Sequence, residues 1–120
     1  MLCDVTRWRV HASNSKQHLE MWRAIMQHQR ANRQRFPYKR SRFFTMLDSE
    51  SSEEHWMYID EYEDREAFDR MYKAAEDQPD LPYSDDPGKA ARLREEKRSF
   101  TIPGSSKKEL WTEHPELAVD

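Results

Sequence analysis

The sequence predicts an α+β domain whose elements follow one another as βαββαβ, and three observations carry that prediction. Residues 5–12 (VTRWRVHA), 41–48 (SRFFTMLD) and 56–62 (WMYIDEY) read as strands, the first and third alternating with the period of two that two different faces require. Between the first two, Leu19, Trp22, Ile25, Met26 and Gln29 recur at three- and four-residue steps, as one stripe of a helix does. Phe68, Met71, Tyr72 and Ala75 repeat that spacing after the third, so the chain passes from strand to helix near Asp64.

Each element has its own justification. In strand one, Thr6, Trp8 and Val10 share one face, and Val5, Arg7, Arg9 and His11 the other. Asn14, with Gln17 three residues on, predicts a capping box at the start of helix one, and Phe36-Pro37 predicts its end, because the residue before proline is pushed out of helical geometry. Residues 49–54 (SESSEE) are polar turn material that makes strands two and three a hairpin. Asp64 is placed to accept from the first free N–H groups of helix two and to meet the positive end of its dipole. Residues 78–88 (QPDLPYSDDPG) hold three of the six prolines and one of the two glycines, which predicts an irregular loop and a candidate lid over 79–88. Residues 89–97 predict a short helix, and 99–102 (SFTI) a fourth strand stopped by Pro103-Gly104. The domain is thus expected over residues 1–104. Residues 105–120 are expected as a tail packing on its own or a partner subunit, with the character of a further edge strand. The compact solution for this element order is ferredoxin-like: a four-stranded antiparallel sheet of order 4-1-3-2 with both helices on one face.

Composition narrows the function. With 120 residues, 36% of them charged, and a net charge of -3, the chain suits one very polar domain, while four Trp, five Tyr and five Phe supply a core. A single cysteine, Cys3, permits no intrachain disulfide and has no activating neighbour in sequence; no apolar run suggests a signal peptide or membrane helix, so a cytoplasmic location is the default expectation. Residues 21–47 carry seven Arg and Lys and no acid, whereas 48–86 carry fifteen acids, so the two segments are expected to attract one another within the fold or across a dimer. With two glycines and no Gly-rich cluster, phosphate loops and the hydrolase nucleophile elbow are excluded. His18 and His28 lie ten residues apart, not at a helical ligand spacing, and His11 and His55 point to opposite faces by the parity adopted below, so no metal site is expected.

Helices on one side leave the other sheet face to be solvated, to bind something or to meet a second sheet. Met57 and Ile59 suit the helix-covered face, as do Trp8 and Val10. That leaves Trp56, Tyr58, Asp60 and Tyr62 on the open face with Arg7 and Arg9, Arg7 being the expected partner of Asp60. An enclosed Asp60 can abstract a proton while arginine and tyrosine stabilise the resulting oxyanion; an ion pair among packed tyrosines at a subunit contact explains the same residues.

The element order over residues 4–102 and the junction IDEYEDREAF, an aromatic-acid-aromatic strand end running into a capped helix, resemble the dimeric α+β barrel superfamily, with its antibiotic-biosynthesis-monooxygenase-like and NIPSNAP-like domains. The resemblance implies a homodimer in which two sheets meet face to face. It also implies a site for a small organic molecule, aromatic or polyketide-like, handled by cofactor-independent monooxygenase-like or isomerase/cyclase-like chemistry. In that reading Asp60 is the candidate base, and Arg7, Arg9, Trp56, Tyr58 and Tyr62 bind the ligand. Haem-degrading members of the superfamily use a histidine on the second helix, and AFDRMYKAAEDQPD has none. Two other readings stand beside this one. One is a non-catalytic structural or regulatory dimer. The other is an RNA-binding module of the same element order, against which WMYIDEY argues, because it lacks glycine and its acids repel phosphate.

Overall fold

A computed structural model of the chain describes every residue except Ser49, so that residue of the expected 49–54 turn lies outside the described residues. The elements are β1 (Leu2–His11), α1 (Ser15–Ala31), β2 (Arg40–Leu47), β3 (Glu53–Tyr62), α2 (Arg65–Asp77), α3 (Pro87–Phe100) and β4 (Lys107–Thr112). The strands form one antiparallel sheet of order β2-β3-β1-β4, the expected order read from the opposite edge.

Asp64 caps α2, its Oδ1 accepting from Ala67 N at 2.9 Å. Asn14 makes no side-chain capping bond, because a 3-10 turn over Ala12–Asn14 leads into α1 and holds Asn14 at φ -101, ψ 0 instead of the extended backbone a capping box needs. The buried stripe of α1 is His18, Met21, Trp22, Ile25 and Gln29, while Leu19 is exposed. That helix ends at Ala31, short of the proline, and a 3-10 turn at Arg33–Arg35 fills the gap. Arg35 pairs with Asp85, Lys39 with Glu63, and Arg40 and Arg42 with Glu61, so the basic and acidic segments meet within one chain.

The fourth strand is not residues 99–102. Ser99 and Phe100 complete α3, since Leu93 and Phe100 lie two turns apart on its inner face and the Thr101 hydroxyl donates to Lys97 O at 2.7 Å. Ile102-Pro103-Gly104-Ser105 then turns the chain, Ser105 N donating to Ile102 O at 3.1 Å with Gly104 at φ 78, the conformation a glycine supplies without steric cost. Ile102 N bonds Arg9 O, and Lys107–Thr112 pair along β1. The sheet therefore runs past residue 104, and its edge comes from the segment expected as a tail.

The register reverses the expected facing of β3. Trp8 lies opposite Trp56, Thr6 opposite Tyr58, Asp4 opposite Asp60 and Leu2 opposite Tyr62, so these residues share a face. That face is the one the helices cover. Trp8, Val10 and Trp56 pack with Met21, Trp22 and Ile25 of α1 and Leu93 of α3, and Tyr62 packs with Phe36, Tyr38 and the α2 residues Ala67 and Phe68. Met57 and Ile59 lie opposite Arg7 and Val5 on the other face. The physical reason is size: Trp56, Tyr58 and Tyr62 each remove more apolar area from water than Met57 or Ile59, and Trp56 also stacks on Trp8 at a centroid distance of 6.0 Å. His55 accordingly shares the open face with His11.

Candidate ligand-binding site

Three rows run across the helix-covered side of the sheet. Leu110, Asp4, Asp60 and Ser41 form the middle row, Lys108, Thr6, Tyr58 and Phe43 the row towards the tryptophans, and Thr112, Leu2 and Tyr62 the row towards α2. The two packed clusters lie at either end. Between them is a pocket of about 230 Å³ whose floor is Asp4, Asp60 and Ser41 and whose walls include Tyr58, Tyr62 and Phe43. Trp22 and Ile25 of α1 and Met71 of α2 face it from above. Pro82 and Tyr83 of the 79–88 loop reach its edge, where Gln29 Nε2 donates to Pro82 O at 3.1 Å and His28 bonds Leu81 O at 2.8 Å, so the loop is strapped to α1. Lys97 of α3 and Lys108 of β4 line it as well.

Burial dominates the electrostatics of the floor. Asp60 is pushed up to about 7, chiefly by loss of water and also by the facing Asp4, against which the Ser41 hydroxyl and Lys108 pull it down. Its Oδ1 is buried without a protein hydrogen-bond partner. Asp4 is raised by the same burial. Tyr58 and Tyr62 are held far above the ordinary phenol range by burial and by the Asp60 charge, and Tyr38 is pushed up to about 12 by burial while its hydroxyl donates to Gln29 Oε1 at 2.7 Å. These phenols remain hydrogen-bond donors across the physiological range. A carboxyl poised near neutrality beside neutral donors can take a proton and give it back.

Of the six residues expected to make a site, Trp56, Tyr58, Asp60 and Tyr62 lie on the helix-covered side, and Tyr58, Asp60 and Tyr62 come together at the pocket. Arg7 and Arg9 do not join them. They stand on the opposite sheet face, where Arg7 pairs with Glu109 at 3.2 Å and Arg9 with Glu53 at 2.7 Å. Asp60 therefore has Asp4 across from it, not Arg7. Trp56 packs in the tryptophan cluster beyond the pocket, its indole N–H directed to Glu54. The sequence reading missed Asp4, which was legible as an acid in step with Thr6, Trp8 and Val10 on the apolar parity of β1. It also missed Lys108 and Tyr38, which only the register and the chain path bring here.

His18 is fully buried, and its Nε2 accepts from both Trp8 Nε1 (3.1 Å) and Trp22 Nε1 (3.2 Å), which leaves the ring proton on Nδ1. Burial pushes it down to about 4. It is a core acceptor for two indoles. Among the described residues no three His, Cys, Asp or Glu side chains converge as a metal's ligands would. Cys3 is half-buried, and burial pushes its thiol up. Among the described residues no helix is long and apolar enough to cross a membrane.

No protein-family model matches the chain, and no curated protein sequence does. Solved structures do. An antibiotic biosynthesis monooxygenase superposes with a TM-score of 0.59 at 16% identity, over 96% of this chain and 100% of its own. The cofactor-independent oxygenase SnoaB from Streptomyces nogalater gives 0.54 at 16% identity, over 97% of this chain and 95% of its own. The fold is that of the antibiotic-biosynthesis-monooxygenase-like α+β barrels. A Deinococcus radiodurans structure proposed to be of the same type gives 0.51 at 11% identity over essentially both chains. At these identities the likeness is one of fold and transfers no side chain's role.

Proposed function

We propose that the pocket between sheet and helices binds a small aromatic or polyketide-like molecule, and that Asp60 serves there as the base of a monooxygenase-like or isomerase/cyclase-like reaction run without a metal or organic cofactor. The observation that carries this is a buried carboxyl near neutrality, one oxygen unpartnered, on the floor of an aromatic-walled pocket. That SnoaB, described as a cofactor-independent oxygenase, shares the fold supports the same reading. An apolar cavity of ~150 Å³ already admits benzene, so this pocket suits a ligand of one or two rings.

The ionised Asp60 removes a proton from a phenol, or from a carbon beside a carbonyl. The substrate is left as phenolate or enolate, and Asp60 as the neutral acid. Neutral tyrosine hydroxyls on the pocket walls donate to the new oxyanion. Returning the proton to a different carbon completes an isomerisation; in a cyclisation the enolate carbon attacks a second carbonyl of the same molecule, and the alkoxide so formed takes the proton back from Asp60. In the oxygenase version a ring carbon of the electron-rich anion forms a C–O bond to dioxygen, the co-substrate; the peroxide takes the proton back from Asp60, and the hydroperoxide loses water to leave a carbonyl, the substrate's own electrons having reduced the second oxygen atom. Asp60→Asn keeps the volume but cannot accept the proton as a carboxylate does. It should bind an aromatic hydroxyketone as wild type does while turnover in air falls at least ~100-fold. Wild-type turnover in that variant would refute Asp60 as the base.

We further propose a homodimer through the open sheet face, because Phe44, Met46 and Trp111 are 43%, 62% and 55% exposed there beside Met57 and Ile59. A dimer with no catalytic role is the second reading, and this same apolar surface is what favours it.

A further inference from the structure

The pocket carries charge of both signs. Its floor holds two carboxyls, Asp4 and Asp60, while its lining includes two ammonium groups, Lys97 and Lys108, which come from different elements, α3 and β4. Elsewhere the basic side chains of this fold are largely spent on acids, such as Arg35 on Asp85, Lys39 on Glu63 and Arg94 on Asp80. Lys97 instead approaches the Tyr83 hydroxyl at 3.3 Å and the Trp22 and Tyr83 ring faces at 5.5 and 5.6 Å. Lys108 stands 5.8 Å over the Tyr72 ring. Both Trp22 and Tyr83 line the pocket, so Lys97 already lies along an aromatic wall.

Building on the pocket reading above, we propose that the ligand is an aromatic acid: a ring system with a hydroxyl directed to Asp60 and an anionic group, a carboxylate or acidic phenolate, held by Lys97 and Lys108. Lys108 also acts on the floor carboxyls, so Lys97 sets the direction: an anion is drawn to it and away from the floor, whereas a hydroxyl is welcome at the floor. A neutral polycycle would leave both ammonium groups without a counter-charge from the ligand. An amine would be drawn to the floor and repelled by the lysines.

The test compares three probes by tryptophan fluorescence titration on the full chain: a hydroxynaphthoic acid with hydroxyl and carboxylate at opposite ends, its methyl ester, and the parent naphthol. The acid should bind at least about fivefold tighter than the ester. Lys97→Gln with Lys108→Gln should erase that preference, acid and ester then binding within about twofold of one another. Equal binding of acid and ester, or a preference that survives loss of both lysines, overturns the anion assignment while leaving the pocket as an aromatic site. Saturable binding by none of the three overturns the pocket reading and this inference with it.

Discussion

Asp60 and His18 are buried titratable groups shifted in opposite directions, and their linkage to folding has opposite signs. Asp60 is raised from 3.8 to about 7, so its contribution to stability is full below the unfolded value and is lost as pH rises through 7. His18 is lowered from 6.5 to about 4, so its contribution is full above 6.5 and is lost as pH falls towards 4. Between about pH 4 and 6.5 the two slopes oppose one another, and above about 7 neither changes further. Asp60→Asn should raise stability at about pH 8 on the order of 2–4 kcal/mol and expose the acid-side loss from His18. Urea denaturation from about pH 4 to 8 checks both effects, and a variant whose profile parallels wild type would mean Asp60 is not buried against the helices.

At the scale of elements, the helix starts differ in how they are held. Asp64 and Asp86 each accept a backbone N–H at 2.9 Å, whereas Asn14 accepts none. Asp64→Ala should therefore cost ~1 kcal/mol, and Asn14→Ala no more than a few tenths (~0.3 kcal/mol). Equal costs in urea denaturation would show that α1 is capped by Asn14 after all. The edge strand β4 is held by its ladder to β1 and by the turn at Pro103-Gly104. Gly104→Ala should destabilise by about 1 kcal/mol, because φ of 78 is costly for an L side chain even though a Cβ there meets no neighbouring atom. Melting temperatures of the two proteins decide it.

For the whole molecule, the consequence of helices on one side is an uncovered sheet. Val5, Ile59 and Met57 lie on it among the pairs Arg7–Glu109 and Arg9–Glu53, with Phe44 and Trp111 more exposed towards the edges. If two such faces meet, Phe44→Glu with Trp111→Glu places unpaired charges in the contact and should give a monomer at micromolar concentration where wild type is a dimer. Light scattering distinguishes them; a wild-type monomer, or a dimeric double variant, would overturn the proposed interface. Neither residue lines the pocket, so aromatic binding should survive the change unless the partner completes the site.

By itself the sequence determined the element order, the sheet order and the Asp64 cap, because these follow from local spacing and from the small number of ways to pack βαββαβ. It also determined that Trp56, Tyr58, Asp60 and Tyr62 share a face, since a strand's period of two allows nothing else. Which side that face meets is not a local property: period two is silent about inside and outside, and both parities of β3 are apolar enough to be buried. Register settled it, by setting Trp8 against Trp56 and Asp4 against Asp60. The fourth strand was ambiguous for a related reason, because SFTI reads as a strand by alternation and as the last turn of α3 by its spacing from Leu93. Only the turn at Gly104, which leaves Lys107–Thr112 free to pair with β1, decides between them. The lysines at the pocket are the furthest from local reading, since their place depends on where α3 and β4 finish relative to a carboxylate at the start of the chain.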